Sequence, residues 1–161
     1  MKESNREKCL GKAAQLLSRR MHSTMELSQK LLRKGFSKSD IDDTTSKLSE
    51  LGLLDDNKFA ACYSEELVRK GFGARKIKSQ LFKRGLSKEL IDGILSSLQS
   101  ESYDDMLETA VEILRRKMPS FEREENLMKR KHKIFVFLAA RGYPTDIISK
   151  ARAACNMQCS F

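Results

Sequence analysis

The stretch LLRKGFSK at residues 31–38 recurs with small changes as LFKRGLSK at residues 81–88, and a weaker copy, LAARGYP, occupies residues 138–144. In each copy a basic residue precedes a glycine and an apolar residue follows it, which is the pattern of a helix that ends in a left-handed glycine. An isoleucine stands six residues after each glycine: Ile41, Ile91 and Ile148. This is the position of the first core residue of a following helix. The repeat therefore predicts three copies of one helix–glycine–helix junction.

Capping residues mark where the predicted helices begin. Ser23 and Glu26 have the spacing of a capping box, Ser37 begins the next helix, and Asp55 or Asp56 begins the one after it. Each of these positions is followed by apolar residues at helical spacing. With a short helix before Ser23, three helices are expected in the first part of the chain.

The other junctions differ from the repeat. RKGF at residues 69–72 also ends a helix in a glycine, but GARKI follows it in place of a serine cap. Ser102 with Asp105 begins a longer helix, which we expect Pro119 to end because proline lacks the amide hydrogen that a helix interior needs. The last two helices are predicted at residues 124–141 and 145–155. The predicted structural junctions are Gly35, Gly71, Gly85 and Gly142.

The predicted helices form three groups, at residues 1–54, 55–100 and 101–161. The composition includes 33% charged residues, two prolines and no tryptophan, which favours exposed helices over a sheet with many turns. A group of roughly 50 residues is near the lower limit for folding alone, so neighbouring groups are expected to stack. We predict an all-α protein, an elongated tandem array of three three-helix units.

The chain of 161 residues has a formal net charge of +9. Such a charge attracts polyanions, but its sign does not choose among nucleic acid, an acidic membrane face and an acidic protein surface. No apolar run approaches the roughly 20 residues that span a bilayer, and the first residues have no apolar stretch of a secretory signal. We therefore expect a cytoplasmic protein without a membrane partner. We also expect a monomer, although the residues themselves leave self-association open.

Residue patterns typical of catalysis are missing from the sequence. It contains no GxxxxGK[ST] phosphate loop, no GxSxG and no HExxH, and Gly71-Phe72-Gly73 continues without the third glycine of a dinucleotide-binding loop. The cysteines and histidines lack the paired spacing of a zinc site: Cys9, Cys62, Cys155, Cys159, His22 and His132. We predict no enzyme, no metal and no cofactor. Cys62 and Cys155 are expected to fill helix faces as reduced thiols.

The segment from Arg69 to Lys88 contains eight lysines and arginines and no acidic residue. On its central helix, Ile77 and Leu81 would face the core, while Lys76, Gln80 and Lys83 would form an outward stripe. Such a stripe suits phosphate or carboxylate groups, although a basic face kept only for solubility has the same pattern.

A second basic cluster, KRKHK at residues 129–133, follows the cluster Arg115–Lys117. Solvated surface and functional patch are equally consistent with it. Phe135 and Phe137 just beyond it are interpreted as core residues, whereas Phe82 and Tyr143 are the aromatic side chains that could stack on bases.

Three linked segments resemble one known family. They are LLSRRMHS at residues 16–23 with Glu26 and Leu27, LGLLDDNKFA at residues 51–60, and KGFGARKI at residues 70–77, which Leu81 and KRG at residues 83–85 follow. On these segments the chain resembles the regulatory protein RecX family from about Leu10 to Cys155. The third unit is only weakly patterned. Gly93 departs from a regular helix and would cost up to about 1 kcal/mol relative to alanine.

The resemblance implies negative control of the RecA recombinase. A protein of this family would lie in the helical groove of the RecA filament on single-stranded DNA, inhibiting ATP hydrolysis and strand exchange and dampening the SOS response. It would reach the DNA through the filament or directly. The candidate main contacts are Arg69, Lys70, Arg75, Lys76, Lys83 and Arg84, extended by Arg19, Arg20, Arg33 and Lys34.

Two other functions fit the residues. An independent helical DNA-binding module is one, because small three-helix units commonly read the major groove, and it predicts salt-dependent duplex binding without a recombinase. A structural or adaptor protein is the other, and it predicts no preference for polyanions.

Overall fold

A computed structural model of the protein describes residues 5–98 and 103–157, without the side chains of residues 156–157. This part of the chain is all-α, as predicted, and contains no strand. Its helices are α1 Asn5–Leu17, α2 Thr24–Leu32, α3 Lys38–Glu50, α4 Asp56–Arg69, α5 Ala74–Lys83, α6 Lys88–Leu98, α7 Tyr103–Glu122, α8 Leu127–Ala140 and α9 Thr145–Met157.

Side-chain caps explain where several helices begin. The Ser23 hydroxyl accepts a hydrogen bond from the Glu26 amide at 3.2 Å, and the Ser37 hydroxyl accepts one from the Asp40 amide at 3.1 Å. These bonds satisfy amides that have no partner within the helix. The carboxylate of Asp55 serves α4 in the same way, at 2.8 Å from the Asn57 amide. The predicted cap at Ser102 lies outside the described residues.

Pro119 does not end its helix, contrary to our prediction. Helix α7 continues through it to Glu122. Proline removes the one hydrogen bond that its own amide would donate, and only three residues of α7 follow it. The Pro119 ring is exposed, whereas Met118 and Phe121 on either side of it are buried. Burial of these two apolar side chains offsets the missing bond.

The helices distribute over two compact units. The first runs to Tyr63 and includes Leu81–Asp92, and the second takes Ser64–Gln80 and the residues from Gly93 onward. In the first unit, helices α1, α2 and α3 enclose a core of Cys9, Ala13, Leu27, Leu31, Ile41, Leu48 and Leu54. In the second, helices α7, α8 and α9 enclose a larger core that includes Ala110, Leu114, Ile134, Leu138, Ile147, Ile148 and Ala151.

Glycines with positive φ follow several helix ends. Their φ angles are +86° at Gly35, +67° at Gly52, +71° at Gly71, +75° at Gly85 and +91° at Gly142. After α3, for example, the amide of Leu53 donates to the carbonyl of Leu48 at 2.9 Å across Gly52. The left-handed residue thus lets the chain leave each helix while the last carbonyls keep a partner.

Candidate polyanion-binding surfaces

The predicted contact residues of the second compact unit lie at the end of α4 and the start of α5. Arg69, Lys70 and Arg75 are exposed, and Lys76 is half-buried. Lys70 forms an ion pair with Glu66, one turn earlier on α4. No described residue forms an ion pair with Arg69, Arg75 or Lys76. These three cations are therefore open to an external anion.

The predicted contact residues of the first compact unit follow helix ends: Arg19 and Arg20 after α1, Arg33 and Lys34 after α2, and Lys83 and Arg84 at the end of α5. Four of them are exposed, and no ion pair connects them to any residue within the described ranges: Arg19, Arg33, Lys34 and Lys83. Arg20 and Arg84 are different, because an acidic side chain binds both.

Glu26 is that acidic side chain, and it binds three cations. Its Oε1 lies 3.0 Å from Nη1 of Arg84 and 3.5 Å from Nζ of Lys30, and Arg20 donates to both of its oxygens, one of these bonds at 3.2 Å. Burial on its own raises the pKa of Glu26. The hydrogen bond from Arg20 and the charges of Arg84 and Arg20 outweigh burial and hold the pKa at about 2. Glu26 is therefore ionised at neutral pH.

Arg84 is also fixed by neutral groups. Its guanidinium carbon lies 5.0 Å from the ring centroid of Tyr63, and Nη2 donates to the Tyr63 hydroxyl at 3.4 Å. The carbonyl of Arg84 accepts a hydrogen bond from the Ser23 hydroxyl at 2.6 Å. Arg84 thus connects α2 with α4 inside the first compact unit, and its guanidinium has partners within the protein.

His22 lies beside this cluster as a neutral side chain. It is 3% exposed, its Nδ1 lies 2.9 Å from the Arg20 carbonyl, and its Nε2 lies 2.7 Å from Nζ of Lys30. An ammonium group can only donate, so Nε2 accepts and Nδ1 carries the proton. Burial lowers the pKa of His22 below its ordinary value, and this effect outweighs the hydrogen bond to the Arg20 carbonyl, which raises the pKa. The imidazole is accordingly a structural link between the α1–α2 loop and α2.

A glycine-rich joint organises the second compact unit. The amide of Gly73 donates to the Arg141 carbonyl at 2.8 Å, and the Tyr143 hydroxyl donates to the Gly71 carbonyl at 3.1 Å. A Cβ atom on Gly73 would lie 2.9 Å from the carbonyl oxygen of Gly142. Only glycine permits this approach of the two backbones. Gly71-Phe72-Gly73 is therefore a packing motif.

A cationic pocket lies next to the joint. It has a volume of about 280 Å³ and is lined by Lys70, Ile113, Arg116, Lys117, Phe137 and Arg141. The guanidinium carbon of Arg141 lies 4.6 Å from the ring centroid of Phe137 and 5.2 Å from that of Phe72. Its Nε atom is buried and has no hydrogen-bond partner among the described residues. We call this the Arg141 pocket.

The second basic cluster has a mainly structural role at two of its positions. The guanidinium of Arg130 donates to the carbonyls of Glu124 and Glu122, and Nζ of Lys133 lies 2.7 Å from a Glu124 carboxylate oxygen. These bonds hold the loop between α7 and α8. Lys129 and Lys131 are exposed, and neither forms an ion pair within the described part of the chain.

The aromatic side chains differ in their access to solvent. Phe82 is 71% exposed, whereas Tyr143 is 4% exposed and cannot stack on a base. The interpretation of Phe135 as a core residue was wrong, because it is 39% exposed. On α8 the buried positions are Ile134 and Leu138, and Phe135 lies about 100° away from Ile134 around the helix.

The thiols and carboxylates form no recognisable metal centre. No group of three or more histidine, cysteine, aspartate or glutamate side chains in the described ranges is placed to hold a metal ion. Cys9 and Cys155 are buried, but Cys62 is exposed, contrary to our prediction, because α4 buries Phe59 and Ala60 instead. Cys159 lies outside the described residues. None of the described helices has both the length and the apolar character needed to cross a bilayer.

The described residues define an all-α protein in which both compact units expose cations near helix ends. Three domain profiles of one family match the chain in order: the RecX first three-helix domain at residues 9–48, the second at residues 55–95 and the third at residues 104–151. The chain belongs to the RecX family, whose members are regulatory proteins and not enzymes. The resemblance and the tandem three-helix fold are both confirmed.

Individual relatives agree with this membership. The regulatory protein RecX of Chlorobium phaeobacteroides is 36% identical over 149 residues, which are 92% of this chain and 93% of the relative. That of Haemophilus influenzae is 35% identical over 132 residues, 81% of this chain and 84% of the relative. The crystal structure of RecX from Lactobacillus salivarius has the same fold, with a TM-score of 0.71 at 20% identity over 95% of this chain and 97% of the other.

Sequence reasoning missed two features of these surfaces. It treated the segment from Arg69 to Lys88 as free of acidic partners, and Glu26 supplies one from a distant position. It also missed the Arg141 pocket, although Arg141, Gly142 and the cluster Arg115–Lys117 were each noticed as local patterns. Local patterns give no signal for contacts between such distant segments.

Proposed function

We propose that this protein is a negative regulator of the RecA recombinase. It binds in the groove of the RecA filament on single-stranded DNA and inhibits ATP hydrolysis, strand exchange and the SOS-related activity of RecA. The observation that carries the proposal is the match of all three RecX domain profiles in order, with relatives that are named regulatory protein RecX. The exposed cations that no described residue neutralises support it.

The contact chemistry follows from those cations. Arg69, Arg75, Lys76 and Lys83 can pair with carboxylates of the recombinase or with DNA phosphates, and Arg19, Arg33 and Lys34 extend the set. Successive domains that bind successive protomers would gain affinity through multivalency. Arg20, Arg84 and Lys70 have acidic partners in the protein, so we assign them a supporting role and not the main contact.

ATP hydrolysis by RecA on circular single-stranded DNA tests the proposal. Increasing wild-type protein should inhibit it, and Lys76→Glu and Lys83→Glu, each made singly, should raise the half-inhibitory concentration about tenfold by reversing a contact charge. The exposed Lys131→Glu is the matched control, with a change below about twofold. Full ATPase activity at saturating wild-type protein would contradict the function. Unaltered inhibition by both variants would contradict only the contact assignment.

A binding titration separates the regulator from a DNA-binding module. Fluorescent duplex DNA, naked single strands and RecA-coated single strands are compared at two salt concentrations. The proposal predicts tightest binding to the coated strand. Tighter, steeply salt-dependent binding to naked duplex would select the independent module instead.

A further inference from the structure

The Arg141 pocket collects positive charge from three separate elements. Lys70 directly follows α4, Arg116 and Lys117 lie on α7, and Arg141 follows α8. None of the lining residues is acidic. Lys117 has no ion-pair partner among the residues that the structure describes. The pocket therefore has a net positive charge without an internal anion on its wall.

The ion pairs at the rim of the pocket are weak and can be exchanged. Lys70 pairs with Glu66, with side chains 57% and 46% exposed, and Arg116 pairs with Glu112, with side chains 74% and 59% exposed. Exposed pairs of this kind contribute little to stability because water competes for both charges. An external anion can therefore take over both cations without a large loss.

Arg141 gives the pocket a fixed and incompletely bonded donor. Contact with the rings of Phe137 and Phe72 holds the plane of its guanidinium in position. The buried Nε–H finds no acceptor in the described part of the protein. This atom is shielded from solvent, so a bound anion would contact Arg141 through the terminal nitrogens of its guanidinium.

The geometry favours a phosphate over a carboxylate. A carboxylate offers two oxygens in one plane, which suits a single guanidinium. A phosphate is tetrahedral and accepts from several directions at once. The donors of the Arg141 pocket come from three elements and include two lysines, which act as point charges with no preferred plane. Convergence of this kind matches a tetrahedral anion.

We propose that the Arg141 pocket binds a backbone phosphate of single-stranded DNA directly. A flexible single strand can place one phosphate in a concave pocket of about 280 Å³, because its backbone is not held in a duplex. This contact goes beyond the proposed function, which leaves direct DNA contact open, and it needs no recombinase.

Fluorescence anisotropy with a labelled oligothymidylate strand, without RecA, tests the pocket. Lys117→Glu in the full chain should raise the Kd about tenfold. It should also make the negative slope of the logarithm of the association constant against the logarithm of salt concentration shallower by about 0.7. Lys131→Glu makes the same charge change on an exposed helix position outside the pocket and should change the Kd by at most about twofold. Equal effects of the two variants on the Kd would overturn the site, because they would show that only the overall positive charge of the protein attracts the strand.

Two further measurements test the role of the planar Arg141 guanidinium and the identity of the bound anion. Arg141→Lys keeps the charge but loses the planar fork, and should weaken binding about fivefold while circular dichroism shows unchanged helicity. Wild-type affinity in this variant would overturn the role of Arg141.

A strand with neutral methylphosphonate linkages should not compete with the labelled oligothymidylate for the protein. Equal competition by that strand, by an oligoglutamate of matched charge or by duplex DNA would overturn the assignment to a single-strand phosphate.

Discussion

At the scale of single residues, Glu26 explains how a strongly basic segment is tolerated. Its carboxylate forms ion pairs with cations from three elements. These are Arg20 in the loop after α1, Lys30 on α2 and Arg84 directly after α5. A carboxylate that is 12% exposed would be costly without these partners, and the partners would repel each other without it. The four side chains are therefore interdependent, and removing the one anion should cost more than removing one cation.

We predict that Glu26→Gln destabilises the protein by about 2 kcal/mol at pH 7, since it leaves three cations without their anion. The folded-state pKa of Glu26, about 2, lies below its ordinary value of 4.5, so its contribution is complete above pH 5 and is lost as the pH falls toward 2. The difference between wild type and variant should shrink over that window. Urea denaturation followed by circular dichroism at pH 7, 5, 4 and 3 measures it.

Glu65→Gln is the control for this prediction. Glu65 is exposed on α4 and forms no ion pair in the described ranges, so its replacement should change the stability by less than about 0.5 kcal/mol. A Glu26→Gln effect that stays the same from pH 7 to pH 3 would show that the amide loses packing and not a charge interaction.

At the scale of elements, replacing a glycine with alanine should change the stability of the protein in opposite directions at two positions. Gly142 has φ of +91°, and a Cβ there would lie 2.6 Å from the backbone nitrogen of Lys76. Gly93 lies within α6, is exposed, and has open space at its Cβ position. We predict that Gly142→Ala destabilises by about 3 kcal/mol through strain and backbone displacement, and that Gly93→Ala stabilises by about 0.5 to 1 kcal/mol.

Thermal and urea unfolding of the two glycine variants provide the comparison. Each variant is the control for the other, because both add one methyl group. A stabilised Gly142→Ala protein would mean that the joint between the glycine-rich loop and the end of α8 is not held as described. A destabilised Gly93→Ala protein would mean that α6 needs the glycine for a contact that its open Cβ position does not indicate.

Helix ends could be predicted from the sequence because their causes are local. A serine cap or a glycine at C′ acts within about four residues, so Ser23, Ser37 and Gly142 were found from short patterns. The end of α7 was predicted wrongly because the rule for Pro119 ignores how much apolar surface follows it. The contact between Ser23 and the carbonyl of Arg84 joins residues 61 positions apart, beyond the reach of local patterns.

At the scale of the whole molecule, the compact units do not follow the order of the chain. The second family domain covers residues 55–95, yet residues up to Tyr63 and from Leu81 to Asp92 belong to the first compact unit. Within that unit, Asp56 accepts the Thr24 amide at 2.8 Å at the start of α2, and Arg84 completes the Glu26 cluster. The first three helices thus depend on residues that lie well beyond them in sequence.

We therefore predict that the fragment of residues 1–54 does not fold cooperatively, whereas the fragment of residues 1–98 does. The shorter fragment loses the cap from Asp56 and the ion pair from Arg84, and a chain of its length is already near the limit of autonomous stability. The longer one contains every residue of the first compact unit. Circular dichroism during urea titration should give a sigmoidal transition for the longer fragment and a gradual loss of signal for the shorter. Matching sigmoidal transitions would show that the first three helices are independent of residues 55–98.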